Sequence, residues 1–563
     1  FIADDEDGNL HVRQAEELAE YVDMEVKNLN IDKIYLDSYT QESTPSGQRY
    51  PEVTEKLNNR MEQGALVVNY TGHGGELGLA HEQILSISDI NNWTNYDNLP
   101  IFITATCEFA RYDDPTRTSA GEYVFLNQQG GAIAMFTTAR ATYAGSNLAL
   151  NKQFYRKAFE KIEGEYPRLG DILRMSKTAV STGINKRKYV LLGDPALKMA
   201  YPLDSVITTE INGFEVSEVP DTLKALAEVN MKGAVYSCDG YKLEDFNGTV
   251  YTTVFDKASR LTTYGQDNNS TPKDFYLRKN IVYKGKTPAQ HGEFEFTFIV
   301  PKDIAYNYGF GRISMYAAYQ GKDGAGYNEN IIVGGFSDIN APDTVGPQIS
   351  LFMNDTSFIE GGITDQDPHL LAFLSDQSGI NTVGNGIGHD ITAVIDGQNE
   401  TPYVLNDFYE ADLGDYTNGS ILYPFLNLPE GEHTLKLKVW DVYNNSSESE
   451  IDFVVVKSSD FRIEKLMNFP NPFAHETSFV FEHNQAGEEL DVEIQIFSLQ
   501  GRLVSKIKRK MVTGGYKSAP IKWEGNTVNG AKLKEGFYLY RLIVKNERGE
   551  VNEKTAKLIL TNY

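Results

Sequence analysis

An apolar run of strand length, Ala65 to Tyr70, stops abruptly at Thr71-Gly72-His73-Gly74-Gly75. A turn this rich in glycine continues neither a strand nor a helix, so the run ends there and the imidazole is held at its carboxyl end. Glycine on both sides permits positive φ and leaves the main chain open to close approach. His-Gly pairs also occur in ordinary loops, so His73 carries chemistry only if the rest of the chain supplies partners.

The chain on either side is read as follows. Phe1-Ile2-Ala3 is the tail of a strand running into the acidic turn Asp4-Asp5-Glu6-Asp7-Gly8. Val12, Ala15, Leu18, Ala19 and Val22 then mark a helix by their spacing. Ile34 to Leu36 is a second strand, and Val53, Leu57 and Met61 mark a helix that Gly64 terminates. Pro100 to Thr106 is a strand ending at Cys107, and Gly131 to Thr137 is another, with a helix around Tyr123 to Gln129 between them. Helices near Asn147 to Ile162 and Leu169 to Val180 precede a last strand, Tyr189 to Leu192. Strands alternating with amphipathic helices predict an α/β domain with a largely parallel sheet. Ligands of such sheets bind beyond the carboxyl ends of the strands, where Glu6, His73 and Cys107 all fall.

Beyond Pro202 the pattern changes. Gly248 to Val254, Phe294 to Val300 and Ile313 to Ala318 alternate, with turn residues between them, as antiparallel β segments do. After a break at 338–346, Thr434 to Trp440 places Leu435, Leu437 and Val439 on one face and lysines on the other, as expected of an immunoglobulin-like sandwich. A last boundary falls at 457–460, and the tail again alternates at Val492, Ile494 and Ile496. The expected architecture is therefore multidomain, α/β plus β: a domain over 1–202, a β-rich domain over 203–345, an Ig-like sandwich over 346–457 and a further β-sandwich over 458–563. A chain of 563 residues has the length for this.

The net charge of −26 argues against a surface that tracks phosphates, so no nucleic acid is expected. The two cysteines, Cys107 and Cys238, suggest no disulfide framework. No run of eighteen apolar residues occurs that would span a bilayer as a helix. The chain begins inside an apolar stretch at Phe1 and is read as the C-terminal part of a longer protein.

If the strands ending at His73 and Cys107 are neighbours, thiol and imidazole meet across the sheet edge. A nearby imidazolium would then lower the thiol pKa from about 8.5. Backbone N–H groups of Gly74 and Cys107 would form an oxyanion hole, and Glu6 would orient the ring through its other nitrogen. Plainer readings stand beside these: Cys107 as a small buried hydrophobe, and Glu6 as part of a solvated turn, with Asp4, Asp5 and Asp7 as rivals for its role. The acidic run lacks the order of a calcium loop, so no cofactor is expected and calcium, though possible, has no motif. His81-Glu82 lacks the second histidine of a zinc-protease helix and is expected at the surface. Arg111, Asp113 and Asp114 are read as either substrate surface or, with more weight, a structural ion-pair network.

Asn69 to Gly74 (NYTGHG), the strand ending in Cys107, and Leu191 to Leu197 (LLGDPAL) resemble the gingipain-type cysteine peptidases, which have a caspase-like α/β fold. By position the resemblance implies Cys107 as nucleophile, His73 as general base and acid, and Glu6 as orienting carboxylate. Glu108-Phe109-Ala110 departs from the Val-Asn-Gly of the secreted members, so their preference for Arg or Lys is not carried over. TATCEFARYDDP (104–115), NGIGHDITAVIDG (385–397) and LKVWDVYNNSS (437–447) are similar instead to the sortase-type members of the type IX secretion system. The tail, with NFPNPF (468–473), is similar to a type IX C-terminal signal domain. The resemblance implies a cell-surface, outer-membrane location in a Gram-negative bacterium. It also implies partners: secreted cargo bearing C-terminal signal domains, other outer-membrane type IX components, and anionic lipopolysaccharide as an acceptor. The alternatives are a secreted gingipain-like protease carrying a sorting tail, and a non-catalytic adhesin or scaffold.

Overall fold

Six segments of the first 200 residues pair edge to edge in a computed structural model. The structure describes residues 1–180, 183, 185–216, 219–337, 343–383, 388–398, 402–456, 461–485, 488–513 and 516–561. The expected break at 338–346 lies partly, and that at 457–460 wholly, outside them. The strands are β1 (Ile2–Ala3), β2 (Ile34–Tyr35), β3 (Val67–Thr71), β4 (Ile101–Ala105), β5 (Ala134–Thr138) and β6 (Tyr189–Leu192), in the order β6-β5-β4-β3-β1-β2. Every pair is parallel except β5 with β6. Six helices flank the sheet: α1 (Glu6–Glu25), α2 (Pro51–Gln63), α3 (Ile87–Asn92), α4 (Ala120–Leu126), α5 (Ala144–Ala158) and α6 (Leu169–Ala179).

The faces follow the period of two along each strand. Val68, Tyr70 and Phe102 pack with α2, α3 and α4 residues, including Leu57, Ile90 and Val124. Ile101, Ile103 and Phe136 pack on the opposite face with Leu18 of α1, Phe154 of α5 and Ile172 of α6. Both faces are covered, which is why β4 and β5 are buried throughout. The buried Asn69 and Asn151 exchange amide hydrogen bonds at 3.0 and 3.2 Å, pinning α5 to β3.

Helix α1 does not begin as the sequence suggests. Asp7, Gly8 and Asn9 occupy the left-handed region, with φ of 57°, 62° and 62°. The acidic stretch is therefore a tight reversed turn before the regular helix, whose Val12, Ala15, Leu18, Ala19 and Val22 are buried as their spacing predicts. Gly64 ends α2 at φ 90°. The α4 helix starts three residues earlier than the sequence reading, because Ser119 and Glu122 form a capping box.

Residues 204–328 build an eight-stranded, largely antiparallel sheet that shares one compact unit with the α/β domain. Arg312, 2% exposed, joins the two domains by donating to the carbonyls of Lys27 and Leu29 (3.0 Å for the latter) and by pairing with Asp23 at 3.3 Å. The segment 264–271 joins them again. The N–H groups of Gly265 and Gln266 donate to the Asp37 carboxylate at 2.7 and 2.9 Å, Ser270 Oγ donates to the Asp5 carbonyl at 2.7 Å, and the Thr271 N–H donates to Asn9 Oδ1 at 2.8 Å.

The second unit contains two β-sandwiches. In the first, sheets of four and five strands enclose Leu435, Leu437 and Val439, while Lys436 and Lys438 pair with Glu448 on the outer face. In the other, sheets of three and four strands enclose Val492, Ile494 and Ile496. The protein is thus α/β plus β, as the sequence indicates. Among the described residues, no helix is long and apolar enough to cross a membrane.

His483 is buried in the last sandwich. Its Nδ1 accepts the Gln485 N–H at 3.2 Å, which leaves Nε2 to donate to Thr513 Oγ1 at 3.0 Å. Burial pushes this imidazole down from 6.5 to about 4. The unfolded chain therefore binds the extra proton first as the pH falls, and the sandwich loses stability between about pH 6.5 and 4, by on the order of 3 kcal/mol in full. Hydrogen exchange of this sandwich across that window checks the loss, which His483→Gln is expected to flatten.

Candidate active site

Parallel pairing aligns the ends of three strands. Ala3 pairs with Thr71, and Thr71 with Ala105. His73 and Cys107 each lie two residues beyond a paired position on adjacent strands, and the Gly72 N–H continues the ladder to the Ala105 carbonyl at 3.4 Å. The acidic turn leaves β1 at the same edge, so Glu6, His73 and Cys107 lie just past the carboxyl ends of β1, β3 and β4.

His73 is held mainly through its backbone. Its N–H donates to Asp4 Oδ2 at 2.7 Å, and its carbonyl accepts from Tyr70 Oη at 2.6 Å and from the Ala80 N–H at 3.0 Å. On the ring, Nε2 faces Asp7 Oδ2 at 3.2 Å and Glu6 Oε2 at 3.5 Å. Carboxylates thus occupy the Nε2 side, which leaves Nδ1 as the nitrogen for a thiol. Glu6 does not serve His73 alone, because its Oε1 meets His81 Nδ1 at 2.7 Å. That bond raises the His81 pKa.

Cys107 is half-buried, Cys238 is exposed, and neither forms a disulfide. The Cys107 Sγ accepts the Thr142 N–H at 3.3 Å and lies 3.6 Å from the Thr142 carbonyl, a weaker contact. Among the described residues, no hydrogen bond links this sulfur to His73. Thr142 is fixed in turn, donating through Oγ1 to the Thr106 carbonyl at 2.9 Å and accepting from Asn147 at 3.0 Å. Glu108 follows the cysteine with φ 50°, a sharp turn that a side chain rarely adopts.

Gly74 pairs with Leu79 in a short hairpin, next to the His73 carbonyl that accepts from Ala80. Bonded and non-bonded pairs alternate along antiparallel strands, so the Gly74 N–H points away from its partner strand. A Cβ at Gly74 would lie 2.7 Å from Thr106 Oγ1, which places this backbone against the residue preceding Cys107. The loops after the two strands are also tied by charge: Arg111 pairs with Glu76 at 2.6 Å and Arg117 with the same carboxylate at 3.4 Å. Arg111 also approaches Asp114 at 3.8 Å, and Arg140 binds Asp113 at 2.5 Å. Arg111, Glu76, Arg117 and Asp114 form an ion-pair network, with Arg140 and Asp113 a separate pair.

The placement of His81-Glu82 at the surface needs correction. Glu82 is buried, and burial, reinforced by the Asp5 carboxylate, pushes it up to about 7. Asp4 and Asp5 are raised mainly by burial as well. His81 is exposed, yet its ring stacks on His73 at 5.1 Å. His11 meets His73 edge-on at 5.2 Å, and its pKa is lowered by burial and by His73. Sequence reading missed both neighbours. The available signal for His11 was its place on the buried stripe, four residues before Ala15. Metal-capable groups at this edge are Asp4 with His11 and His73, Glu6 with His73 and His81, and Asp4 with Asp5 and Glu82; Asp343, Asp376 and Asp441 form another elsewhere.

The first domain is thus a largely parallel sheet covered on both faces, with a histidine and a cysteine just past adjacent strand ends, the arrangement that the sequence resemblance to cysteine peptidases implies. In agreement, residues 1–200 match the family model for peptidase family C25. Among solved structures, the chain is similar to dimeric latent PorU from Porphyromonas gingivalis, with 31% identity, 77% of this chain and 41% of that chain covered, and a TM-score of 0.31. The chain thus spans well under half the length of that protein. The complex of Porphyromonas gingivalis RgpB pro- and mature domains matches at 14% identity, over 58% of this chain and 67% of that one, with a TM-score of 0.30. No curated protein matches.

Gly72 has no room for a side chain, since a Cβ would lie 2.4 Å from Asp4 Cβ and 2.5 Å from Tyr70 Oη. Gly72→Ala is expected to destabilise the first unit by about 1–3 kcal/mol. A fall in its denaturant midpoint with unchanged slope checks this.

Proposed function

We propose that this chain is a cysteine endopeptidase acting as a sortase on secreted cargo. The observation that supports the reading is the in-register pairing of β3 with β4, by which His73 and Cys107 each follow two residues after a paired position on adjacent strands. Cys107 Sγ, exchanging its contact with Thr142 for one with His73, gives its proton to Nδ1 and attacks the scissile carbonyl. His73 then protonates the leaving amine, and the thioester is released by water or by an amine. Glu6 and Asp7 hold the Nε2 side of the ring, and the N–H groups of Gly74 and Cys107 receive the oxyanion. Apo geometry without a thiol–imidazole bond is compatible with this, because such contacts tighten when substrate binds.

The sortase reading draws on the resemblance of motifs along the chain to type IX sortases. The cargo would lose its C-terminal signal domain, and its new carboxyl end would pass to an anionic lipopolysaccharide at the cell surface, beside other outer-membrane components of the system. The test is Cys107→Ala with cargo maturation followed in cells: signal removal is expected to fall by at least about 10³-fold, and undiminished removal would sink the reading. Robust cleavage of short unrelated peptides by the purified protein would favour a general secreted protease instead.

A further inference from the structure

His11 is 4% exposed, and neither ring nitrogen makes a hydrogen bond. Asp7 Oδ2 lies 3.4 Å from Nε2, a long ion pair, while the ring is set edge-on against His73. A buried imidazole with no hydrogen bond costs free energy unless something else takes up its lone pair. Donor atoms of Asp4, His11 and His73 lie within 4.8 Å of one another. Two imidazoles and a carboxylate form a donor set suited to zinc and its neighbours rather than to calcium, which prefers oxygen alone. The ring of His73 is partly exposed and flanked by the exposed His81, so an ion has a path in from solvent.

We propose that Asp4, His11 and His73 form a binding site for a transition-metal ion of the zinc class, and that occupation of this site switches off the thiol chemistry; the second clause rests on the catalytic reading above. A neutral imidazole has one N–H and one lone pair. The switch requires the metal to take His73 Nε2, the nitrogen that faces Glu6 and Asp7, which leaves the proton on Nδ1. That nitrogen then has no lone pair to accept the Cys107 proton. Coordination makes two nitrogen–metal bonds and one oxygen–metal bond and consumes no redox equivalent; protons are released only where Asp4 or an imidazole was protonated. The thiol takes no part in binding, which separates this site from simple capture of metal by a reactive cysteine.

The experiment is a Co²⁺ titration of the Cys107→Ala protein, followed by visible absorption and by displacement with Zn²⁺. One equivalent is expected to bind with the intense bands of a low-coordinate site, and His11→Gln is expected to weaken binding at least about tenfold. Equal affinity in His11→Gln, or binding seen only with the thiol present, would overturn the site. Should His11→Gln fail to fold by circular dichroism, a Zn²⁺-induced rise in the melting temperature of Cys107→Ala that vanishes in His73→Ala carries the same decision. In the unmutated protein, Zn²⁺ is expected to block cleavage over the concentration range in which it binds; binding without inhibition would overturn the switch. A protein that binds metal but cleaves nothing in chelator would count against the catalytic reading and leave the site standing.

Discussion

The parallel register of β1, β3 and β4 is the constraint on which the candidate site depends. Each strand delivers its chemistry two or three residues past its last paired position, so no long loop has to find a partner. Side chains alternate along a strand, and a slip of one residue would turn every one to the other face of the sheet. The register is fixed by burial on both faces and by the Asn69–Asn151 pair, which ties the middle strand to α5. The hydrophobic core and the alignment of the strand ends that carry His73 and Cys107 are thus one arrangement.

Around that edge the electrostatics are costly. Asp4, Asp5 and Glu82 are all buried, and an uncompensated buried charge costs several kcal/mol. Part of the cost is offset by donors: the backbone N–H groups of Asp5 and His73 serve Asp4, and Tyr50 Oη donates to Asp5 at 2.5 Å. Part is avoided because burial raises the carboxyl pKa values and so favours the neutral forms. The left-handed turn at Asp7-Gly8-Asn9 adds backbone strain. Acidic density and strain are both concentrated within reach of one imidazole.

Much of this was legible in the sequence. The apolar run and glycine turn located the end of β3, and the strand ending at Cys107 could be read the same way. Their adjacency was a conditional reading until the sheet order supplied it. The division of labour in the acidic run was not legible, because four consecutive acids have no local signal to rank them. The ranking comes from contacts across the fold: Asp4 binds a backbone amide, Glu6 is shared with His81, and Asp7 approaches both His11 and His73. His81 escaped for a similar reason. The tight hairpin at Gly78, where a Cβ would sit 2.1 Å from the Leu85 carbonyl, folds the chain back over His73, and no periodicity in the sequence announces that return.

The segment 264–271 gives the boundary of the α/β domain a different meaning. The family match ends at residue 200, yet the backbone that carries Asp5 and Asn9 is braced by Ser270 and Thr271, and Asp37 is wrapped by Gly265 and Gln266. The unit that the family match covers is therefore smaller than the unit that holds the candidate edge in shape. A β domain that looks like a passive appendage works here as a keystone, and sequence change in its 264–271 segment is felt at Asp5, Asn9 and Asp37. Selection on that edge then reaches past residue 200, into a domain whose own sequence announces no reaction at all.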